Sequence, residues 1–377
     1  VNAFDVRRMA DILHLTLKKV VDESYDIFIE YGLLDKIPLH LKDNPLGNKY
    51  AIITDSEIRD IYGENLLKRF REENICACLI DFPAGEESKN LDTVNYLVEK
   101  LLENTIDRKS AIIALGGGVV GDVSGFTASV YMRGIPYIQV PTTLLAQVDS
   151  SIGGKTAVDT KEGKNLIGSF YQPRRVYIDP SLLETLPRRE FISGLAEVVK
   201  YGVICDRNFF EYLERNVERI KALDKNALLH VIKTSCKIKK EVVEEDPREE
   251  NKRAILNYGH TPGHALERLS GYKFLHGEAV SVGMRISGWV AVRKGFLTLD
   301  EWERQNRLLK NFGLPIKMEF NIDDFIRTLY YDKKVEGGVL TFVLPKKIGE
   351  MALVNGKYRI PVSEGELRAF IIELNGY

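Results

Sequence analysis

The chain has 377 residues, 53 Lys and Arg against 54 Asp and Glu, a formal net charge of −1, and 44% apolar residues. Two domains are expected at this length, and the balanced charge argues against nucleic acid or an anionic membrane as a partner. Four cysteines without a C-x-x-C pair argue against a disulfide scaffold, a zinc ribbon and a dithiol redox site. Because no apolar stretch has signal-peptide or membrane-spanning length, we expect a cytoplasmic protein.

The first half of the chain alternates short apolar runs with amphipathic segments. This pattern predicts strands and helices, in chain order, at 50–55, 57–73, 77–85, 91–104, 110–118 and 137–143. Strands separated by single helices pair in parallel through right-handed crossovers. We therefore expect an α/β N-terminal domain with a Rossmann-like parallel sheet.

After about residue 180 the spacing of apolar residues becomes helical. It predicts helices within 209–223, 237–253 and 277–295, and a late strand or hairpin within 339–355. The segment 237–253 is rich in charge, which is typical of a solvated helix and its exit loop. We therefore expect a mostly α-helical C-terminal domain, with the chain divided into 1–180 and 181–377.

Gly116, Gly118 and Gly121 form G-x-G-x-x-G directly after a predicted strand. Such glycines let the backbone approach a pyrophosphate at a helix N-terminus, although a tight strand–helix turn explains the motif equally well. The acidic residue usually found about 20 positions later is missing, because 123–148 contains no Asp or Glu. A dinucleotide would bind in a variant of the fold, with Asp55 as the candidate for its ribose hydroxyls.

Three of the six histidines lie close together in the sequence, at His260, His264 and His276. His260 and His264 are four residues apart, which places them on one face of a helix and suits a metal site. Two histidines and one carboxylate leave a position open for substrate on a catalytic zinc ion. The candidates for the carboxylate are Glu197, Glu267 and Glu278, and spacing does not choose among them.

The segment 150–173 places Lys155 and Lys164 among glycines and small polar residues. Lysines in such loops are usually solvated. The apolar neighbours, including Ile152 and Phe170, instead predict a buried loop, where a lysine needs an anionic partner such as a phosphate or a carboxylate.

Seven motifs together resemble the 3-dehydroquinate synthase family, within the sugar-phosphate cyclase superfamily, over roughly residues 50–350. They are ALGGGVVGDVSGF, YMRGIPYIQVPTTLLAQVDSSIGGKTAVD, GKNLIGSFYQP, GLAEVVKYG, LNYGHTPGHALE, LHGEAVSVGM and DKKVEGG. The resemblance implies an NAD-binding α/β domain, a helical domain that carries a divalent metal, and an active site between them. It also implies a reaction in which 3-deoxy-D-arabino-heptulosonate 7-phosphate gives 3-dehydroquinate and phosphate. The steps are transient oxidation at C5, elimination, reduction and intramolecular aldol closure, with NAD regenerated.

The resemblance also implies roles for individual residues. Glu197, His260 and His276 match the ligands of a Zn or Co ion, and His264 matches a residue for hydrogen bonding and proton transfer near the phosphate. The residues that match substrate contacts are Asp149, Lys155, Asn165, Lys200, Lys239, Arg253, Asn257 and Lys334 or its neighbour Lys333. Arg133 matches an arginine that reaches phosphate across a homodimer interface. The residues that match NAD contacts are Asp55, Glu86, Lys89, Gly118, Val119, Gly121, Asp122, Thr142, Thr143, Leu145, Lys155, Lys164 and Thr185.

Several alternatives share parts of this pattern. 2-Deoxy-scyllo-inosose synthase and the valiolone synthases have the same scaffold but accept sugar phosphates without the carboxylate. Arg253 with Asn257 favours a phosphorylated keto sugar acid, because a carboxylate suits a bidentate arginine. An aminodehydroquinate synthase is not separated by this argument. A metal-dependent polyol dehydrogenase does not need the lysine and arginine set, and an inactive NAD-binding regulator does not need the full set of metal ligands.

Overall fold

A computed structural model of the chain describes residues 22–331 and 339–376. The strands in these ranges are β1 (Asp26–Ile29), β2 (Tyr50–Asp55), β3 (Ala77–Phe82), β4 (Ala111–Gly116), β5 (Tyr137–Pro141), β6 (Lys155–Thr160), β7 (Gly163–Phe170), β8 (Arg175–Ile178), β9 (Thr341–Val343), β10 (Pro345–Lys347), β11 (Glu350–Met351) and β12 (Arg359–Pro361). The α-helices are α1 (Ile37–Asp43), α2 (Ser56–Ile58), α3 (Glu64–Glu72), α4 (Leu91–Glu103), α5 (Gly118–Val130), α6 (Arg188–Cys205), α7 (Arg207–Arg215), α8 (Val217–Lys221), α9 (Lys225–Glu245), α10 (His260–Leu269), α11 (His276–Arg293), α12 (Leu299–Phe312), α13 (Ile322–Tyr331) and α14 (Glu364–Leu374).

The first half folds into a parallel sheet with strand order β1-β8-β5-β4-β2-β3. Every residue of β4 is buried, and so are five of the six residues of β2. Continuous burial is expected when helices cover both faces of a parallel sheet. The predicted Rossmann-like α/β sheet is therefore confirmed, and β1 and β8 are two strands that the pattern did not predict.

The segment 150–173 is not the buried loop that its apolar neighbours predict. Most of it forms an antiparallel hairpin of β6 and β7, in which Lys155 pairs with Phe170. Lys155 has a side chain 51% exposed, and Phe170 is also 51% exposed. The prediction was wrong because Gly168 serves the strand pairing: a Cβ at this position would lie 2.3 Å from the carbonyl oxygen of Thr156.

The second half is mostly helical, as predicted. The segment 209–223 divides at Asn216 into α7 and α8, and α9 covers most of the charge run that begins at residue 237. The segment 339–355 contains the predicted hairpin, formed by β10 and β11, while β9 pairs with β12. Within the described ranges, no helix is both long enough and apolar enough to cross a lipid bilayer.

One apolar cluster joins the sheet to the helical half. Leu144, which follows β5, and Val176 in β8 belong to the same buried cluster as Leu195 in α6 and Ile232 in α9. Side chains from both halves therefore pack together along one edge of the sheet. The division of the chain at residue 180 stays a prediction.

Candidate active site

The residues matched to NAD follow the carboxyl ends of neighbouring parallel strands. Asp55 ends β2, Gly118 begins α5 after β4, and Thr142 follows β5. Ligands of open α/β sheets commonly bind at this edge. Val119, Gly121 and Asp122 lie in the first turns of α5, Thr143 and Leu145 come after Thr142, and Thr185 ends the turn Pro180–Glu184 after β8.

The glycine motif has a packing role that is visible at two positions. A Cβ at Gly116 would lie 2.5 Å from Val120, and a Cβ at Gly121 would lie 2.8 Å from Gln139. These glycines therefore allow a tight strand–helix turn and the close packing of α5 on β5. The same turn leaves the first N–H groups of α5 directed toward the edge where a pyrophosphate would bind.

Polar groups at this edge form two connected ion-pair sets. The Nζ atom of Lys89 lies 2.7 Å from a carboxylate oxygen of Asp122 and 2.7 Å from the side-chain oxygen of Asn165. The Nζ atom of Lys164 lies 2.9 Å from Glu86. The structure therefore brings Asn165 to Lys89, among the residues matched to NAD. Asp55 accepts hydrogen bonds from two backbone N–H groups and so caps α2.

Three helices bring together the side chains matched to the metal. Glu197 lies on α6, His260 begins α10 and His276 begins α11. A Cβ at Gly277 would lie 1.9 Å from the carbonyl oxygen of Ser193, so a glycine is needed where α11 meets α6. Because Ser193 and Glu197 are one helical turn apart, this contact places the Glu197 carboxylate in front of His276.

The three ligand atoms are within reach of one ion. Glu197 Oε1 lies 3.4 Å from His260 Nε2 and 3.5 Å from His276 Nε2. Zinc–ligand bonds of about 2.0–2.2 Å in a tetrahedron place neighbouring ligand atoms about 3.4 Å apart. The Glu197 side chain is fully buried, and its oxygens contact Lys200 and the two histidines. A buried carboxylate that faces two imidazoles fits a divalent cation.

The other ring nitrogen of each histidine has its own acceptor. His260 Nδ1 lies 3.1 Å from the carbonyl oxygen of Tyr258, and His276 Nδ1 lies 3.5 Å from Glu267 Oε2. Burial disfavours the charged form of His276, but Glu197 and Glu267 outweigh this effect and raise the pKa of His276 to about 10. The carboxylates therefore favour positive charge at this position.

The candidates that spacing alone left open have different positions. His264 is close to the cluster, with its ring centroid 5.5 Å from that of His260 and 6.0 Å from that of His276. Glu267 contacts His276 on the side away from Glu197. Glu278 pairs with Arg189 through both oxygens, at 2.7 Å each.

A second charged cluster surrounds Asp149 next to the first. Lys239 forms an ion pair with Asp149, and Lys200 Nζ lies 3.9 Å from the same carboxylate while it also contacts Glu197. The hydroxyl of Tyr201 donates to Asp149 Oδ1 at 2.9 Å. Burial alone would raise the pKa of Asp149, but the two lysines outweigh it and hold the pKa well below its ordinary value.

Glu249 organises a third set of the predicted residues. Its carboxylate pairs with Lys155, accepts a hydrogen bond from Asn257 Nδ2, and lies 3.3 Å from the guanidinium of Arg359. A carboxylate at the centre of these donors occupies the position that an anionic group of a substrate would favour.

Arg253 is buried beside this set and supports a loop. Its two terminal nitrogens donate to the carbonyl oxygens of Pro247, at 2.6 Å, and Gly153, at 2.9 Å. Burial lowers the pKa of Arg253. Two remaining predicted residues do not join the described clusters: Arg133 is exposed in the turn after α5, and Lys334, like Lys333, lies outside the described residues.

Sequence reasoning missed three groups around these clusters. Tyr201 directly follows Lys200 in the sequence, Glu249 follows a Pro-Arg pair in a charge run, and Arg359 is on a short strand. Helical spacing does identify Glu267, which is seven residues after His260 and three after His264. Spacing suggests it as a metal ligand, whereas in the structure it contacts His276.

Comparison with known proteins identifies the family. The 3-dehydroquinate synthase N-terminal model matches residues 79–193, and the 3-dehydroquinate synthase C-terminal model matches residues 194–335. The chain belongs to the 3-dehydroquinate synthase family. The 3-dehydroquinate synthase of Desulforamulus reducens is 49% identical over 88% of this chain and 93% of the relative, and that of Thermodesulfovibrio yellowstonii is 48% identical over 88% and 93%. The chain is therefore an enzyme of this type, as the motifs predict.

Solved structures of other cyclases share the fold over nearly the whole length. A 2-deoxy-scyllo-inosose synthase complexed with carbaglucose-6-phosphate, NAD⁺ and Co²⁺ is 30% identical, with a TM-score of 0.85 over 92% of this chain and 96% of the other. A 2-epi-5-epi-valiolone synthase from Streptomyces hygroscopicus with NAD⁺ and Zn²⁺ is 29% identical, with a TM-score of 0.87 over 97% and 99%. A probable glycerol dehydrogenase from Sinorhizobium meliloti, 15% identical with a TM-score of 0.66 over 93% and 96%, shares the fold.

Proposed function

We propose that this chain converts 3-deoxy-D-arabino-heptulosonate 7-phosphate into 3-dehydroquinate and phosphate. The observation that carries the proposal is the buried set of Glu197, His260 and His276 beside the Asp149 ion pairs, in a chain 49% identical to a 3-dehydroquinate synthase. A substrate with both a phosphate and a carboxylate needs several cationic groups, and the three described clusters provide them.

The cofactors are NAD and one divalent metal ion, Zn or Co, as in the two solved cyclases with bound cofactors. When bound, the metal supplies a lowered pKa for a coordinated alcohol and polarisation of a carbonyl, and the nicotinamide supplies reversible hydride transfer. Glu197, His260 and His276 hold the metal. The NAD contacts are those that follow the carboxyl ends of the parallel strands, with Lys89 and Lys164 among them.

Asp149 and its lysines orient the hydroxyl groups of the substrate. The lowered pKa of Asp149 keeps its carboxylate ionised at neutral pH, so it accepts hydrogen bonds from alcohols. Lys200 lies between Asp149 and Glu197, and it thereby links the hydroxyl-binding group to a metal ligand. Lys239 is buried and forms an ion pair with the same carboxylate. Its proposed role is at the carboxylate end of the substrate.

The phosphate end is formed by Lys155, Asn257 and His264, together with Asn165, which accepts a hydrogen bond from Lys89 at the NAD edge. Lys155 and Asn257 share Glu249 as a partner, so they lie close enough to grip one anion together. The ring of His264 lies close to those of His260 and His276, but His264 is not one of the residues matched to the metal. Its proposed role is to transfer a proton to the departing phosphate. Arg253 belongs, with Lys239, to the carboxylate end of the substrate, and it contributes through the charge of its guanidinium and through the loop that it holds.

Three broader features belong to this proposal. The domains are 1–180, which binds NAD, and 181–377, which carries the metal, with the substrate between them. The enzyme is a cytoplasmic homodimer in which Arg133 reaches the phosphate of the neighbouring subunit. Lys334 or Lys333 completes the phosphate contacts.

Phosphate release from the heptulosonate phosphate, with the product identified by mass, tests the proposal. Glucose 6-phosphate is the control substrate, since a 2-deoxy-scyllo-inosose synthase would accept it. The expected result is one phosphate per molecule of 3-dehydroquinate and no growth of NADH absorbance in steady turnover. Glu197→Gln is the matched inactive variant. Turnover of glucose 6-phosphate, or stoichiometric NADH release, would reject the proposed substrate and reaction class.

A further inference from the structure

Glu267 is a buried carboxylate that none of the proposed catalytic steps uses. Its side chain is only 4% exposed, on the same helix α10 that begins with the metal ligand His260. It lies seven residues after His260 and three after His264, so these three side chains share one helix face. A buried carboxylate requires hydrogen-bonding or charged partners, and those partners indicate its role.

Glu267 has two such partners on opposite sides. Its Oε2 atom lies 3.5 Å from His276 Nδ1, and its Oε1 atom lies 3.4 Å from Lys164 Nζ. Lys164 supplies the counter-charge that a buried carboxylate needs. The ligand atoms of His264, Glu267 and His276 all lie within 4.8 Å of one another. Of the two histidines, His276 is the one matched to the metal, and its second nitrogen, Nε2, faces Glu197.

We infer that Glu267 is the positioning residue of His276: it accepts the hydrogen of Nδ1 and so directs the unprotonated Nε2 toward the metal. Metal-ligating histidines commonly donate their other N–H to a carboxylate or a carbonyl, which fixes the tautomer and the ring orientation. The carbonyl oxygen of Tyr258, 3.1 Å from His260 Nδ1, has the same relation to the other histidine ligand. The inference rests on the proposed function, because it assumes that His276 binds a metal.

Glu278 separates this role from a general effect of negative charge. It is two residues from His276 on α11, but its carboxylate pairs with Arg189 and its Oε2 accepts a hydrogen bond from the Leu275 N–H. A glutamine at this position keeps the hydrogen bond that caps α11. Glu278→Gln is therefore a matched control that removes a carboxylate beside the metal ligand without touching its ring.

The experiment measures Zn²⁺ affinity of the full chain by competition with a chromophoric chelator, and the visible absorption of the Co²⁺-loaded protein. Glu267→Ala should bind Zn²⁺ about 10–100-fold more weakly. Glu267→Gln should lose less Zn²⁺ affinity than Glu267→Ala, because the amide oxygen still accepts the Nδ1 hydrogen. It should also shift the visible absorption bands of the bound Co²⁺. Glu278→Gln should stay near the wild type in both measurements. The unfolding temperature of the metal-free variants controls for a purely structural loss.

Two results would overturn the inference. One is a Zn²⁺ affinity and Co²⁺ spectrum of Glu267→Ala equal to those of the wild type; should that variant not fold, unchanged Co²⁺ bands in the nearly isosteric Glu267→Gln have the same meaning. The other is a loss of Zn²⁺ affinity in Glu278→Gln as large as that in Glu267→Ala. A second bound metal equivalent that disappears in Glu267→Ala would make Glu267 a ligand instead, and would also reject the inference. A wild type that binds metal but releases no phosphate would reject the proposed function alone.

Discussion

Asp149→Asn tests how much the buried charges of the site contribute to folding. Asp149 lies beside Lys239 and Lys200, whose side chains are 7% and 1% exposed. The variant keeps an oxygen that accepts the hydroxyl hydrogen of Tyr201 but removes the negative charge. Breaking a buried ion pair in this way costs about 3–5 kcal/mol, because the remaining charges stay desolvated without a partner.

The pKa of Asp149 predicts how this loss depends on pH. Burial opposes ionisation, but Lys239 and Lys200 outweigh it and lower the pKa. A carboxyl group with a depressed pKa in the folded state stabilises the protein above its unfolded pKa of about 3.9. The difference in unfolding free energy between the wild type and Asp149→Asn is therefore full at pH 7. Below about pH 3.9 it falls by up to about 1.4 kcal/mol per pH unit.

Urea unfolding, followed by circular dichroism between pH 7 and pH 3, measures both effects. Tyr201→Phe is the matched control. It removes the hydroxyl that lies within hydrogen-bond distance of this carboxylate and of the Val148 carbonyl oxygen, and it should cost about 1 kcal/mol. The reasoning is refuted if the unfolding free energy of Asp149→Asn at pH 7 lies within about 1 kcal/mol of the wild-type value. It is also refuted if the difference does not shrink as the pH falls to 3, since the lysines would then not be responsible for the lowered pKa.

Three further predictions concern the metal, the helix contact and the buried arginine. Thorough chelation should abolish turnover and Zn²⁺ or Co²⁺ should restore it; activity that survives chelation contradicts the metal site. Gly283→Ala should cost about 1–3 kcal/mol or more and weaken metal binding, because its Cβ would lie 2.0 Å from the carbonyl oxygen of Gly259, beside a metal ligand. Gly365→Ala in α14, with nothing within 4 Å, is the control for thermal unfolding and should not destabilise. Arg253→Lys should raise KM and cost about 1.5–3 kcal/mol in urea unfolding, because one ammonium does not span both carbonyls; an unchanged KM and midpoint would contradict this.

The sequence predicts the centre of the fold better than its edges. β2 and β4 are continuous apolar runs beside amphipathic helices, so local patterns determine them. β1 and β8 have only four residues each, and they are stabilised by pairing with each other and by the pairing of β8 with β5. The β6–β7 hairpin was missed for a related reason, since the glycines that suggest a loop allow its two strands to approach closely.

The site shows the same limit at the level of single side chains. His260 and His264 are one helical turn apart, so spacing predicts that they bind one metal together. The structure instead turns His276 toward His260, because Gly277 and Gly283 let α11 approach α6 and the start of α10. Contacts between helices that are far apart in the sequence determine this choice, and periodicity does not contain them. The family resemblance contains more of this information, because Gly259 and Gly283 both lie in its motifs, while Ser193 directly precedes one of them.

The lysines of the candidate site are paired with carboxylates of the chain itself. The pairs at the candidate site are Lys89 with Asp122, Lys155 with Glu249, Lys164 with Glu86, Lys200 with Glu197 and Lys239 with Asp149. A substrate anion that contacts one of these lysines replaces or shares an existing lysine–carboxylate ion pair. Its gain in affinity is therefore only the difference in free energy between the new contact and that ion pair. Replacing one lysine also leaves its carboxylate partner without a counter-charge, so a single variant overstates the contribution of that lysine to binding. A double-mutant cycle on Lys155 and Glu249 separates the two effects.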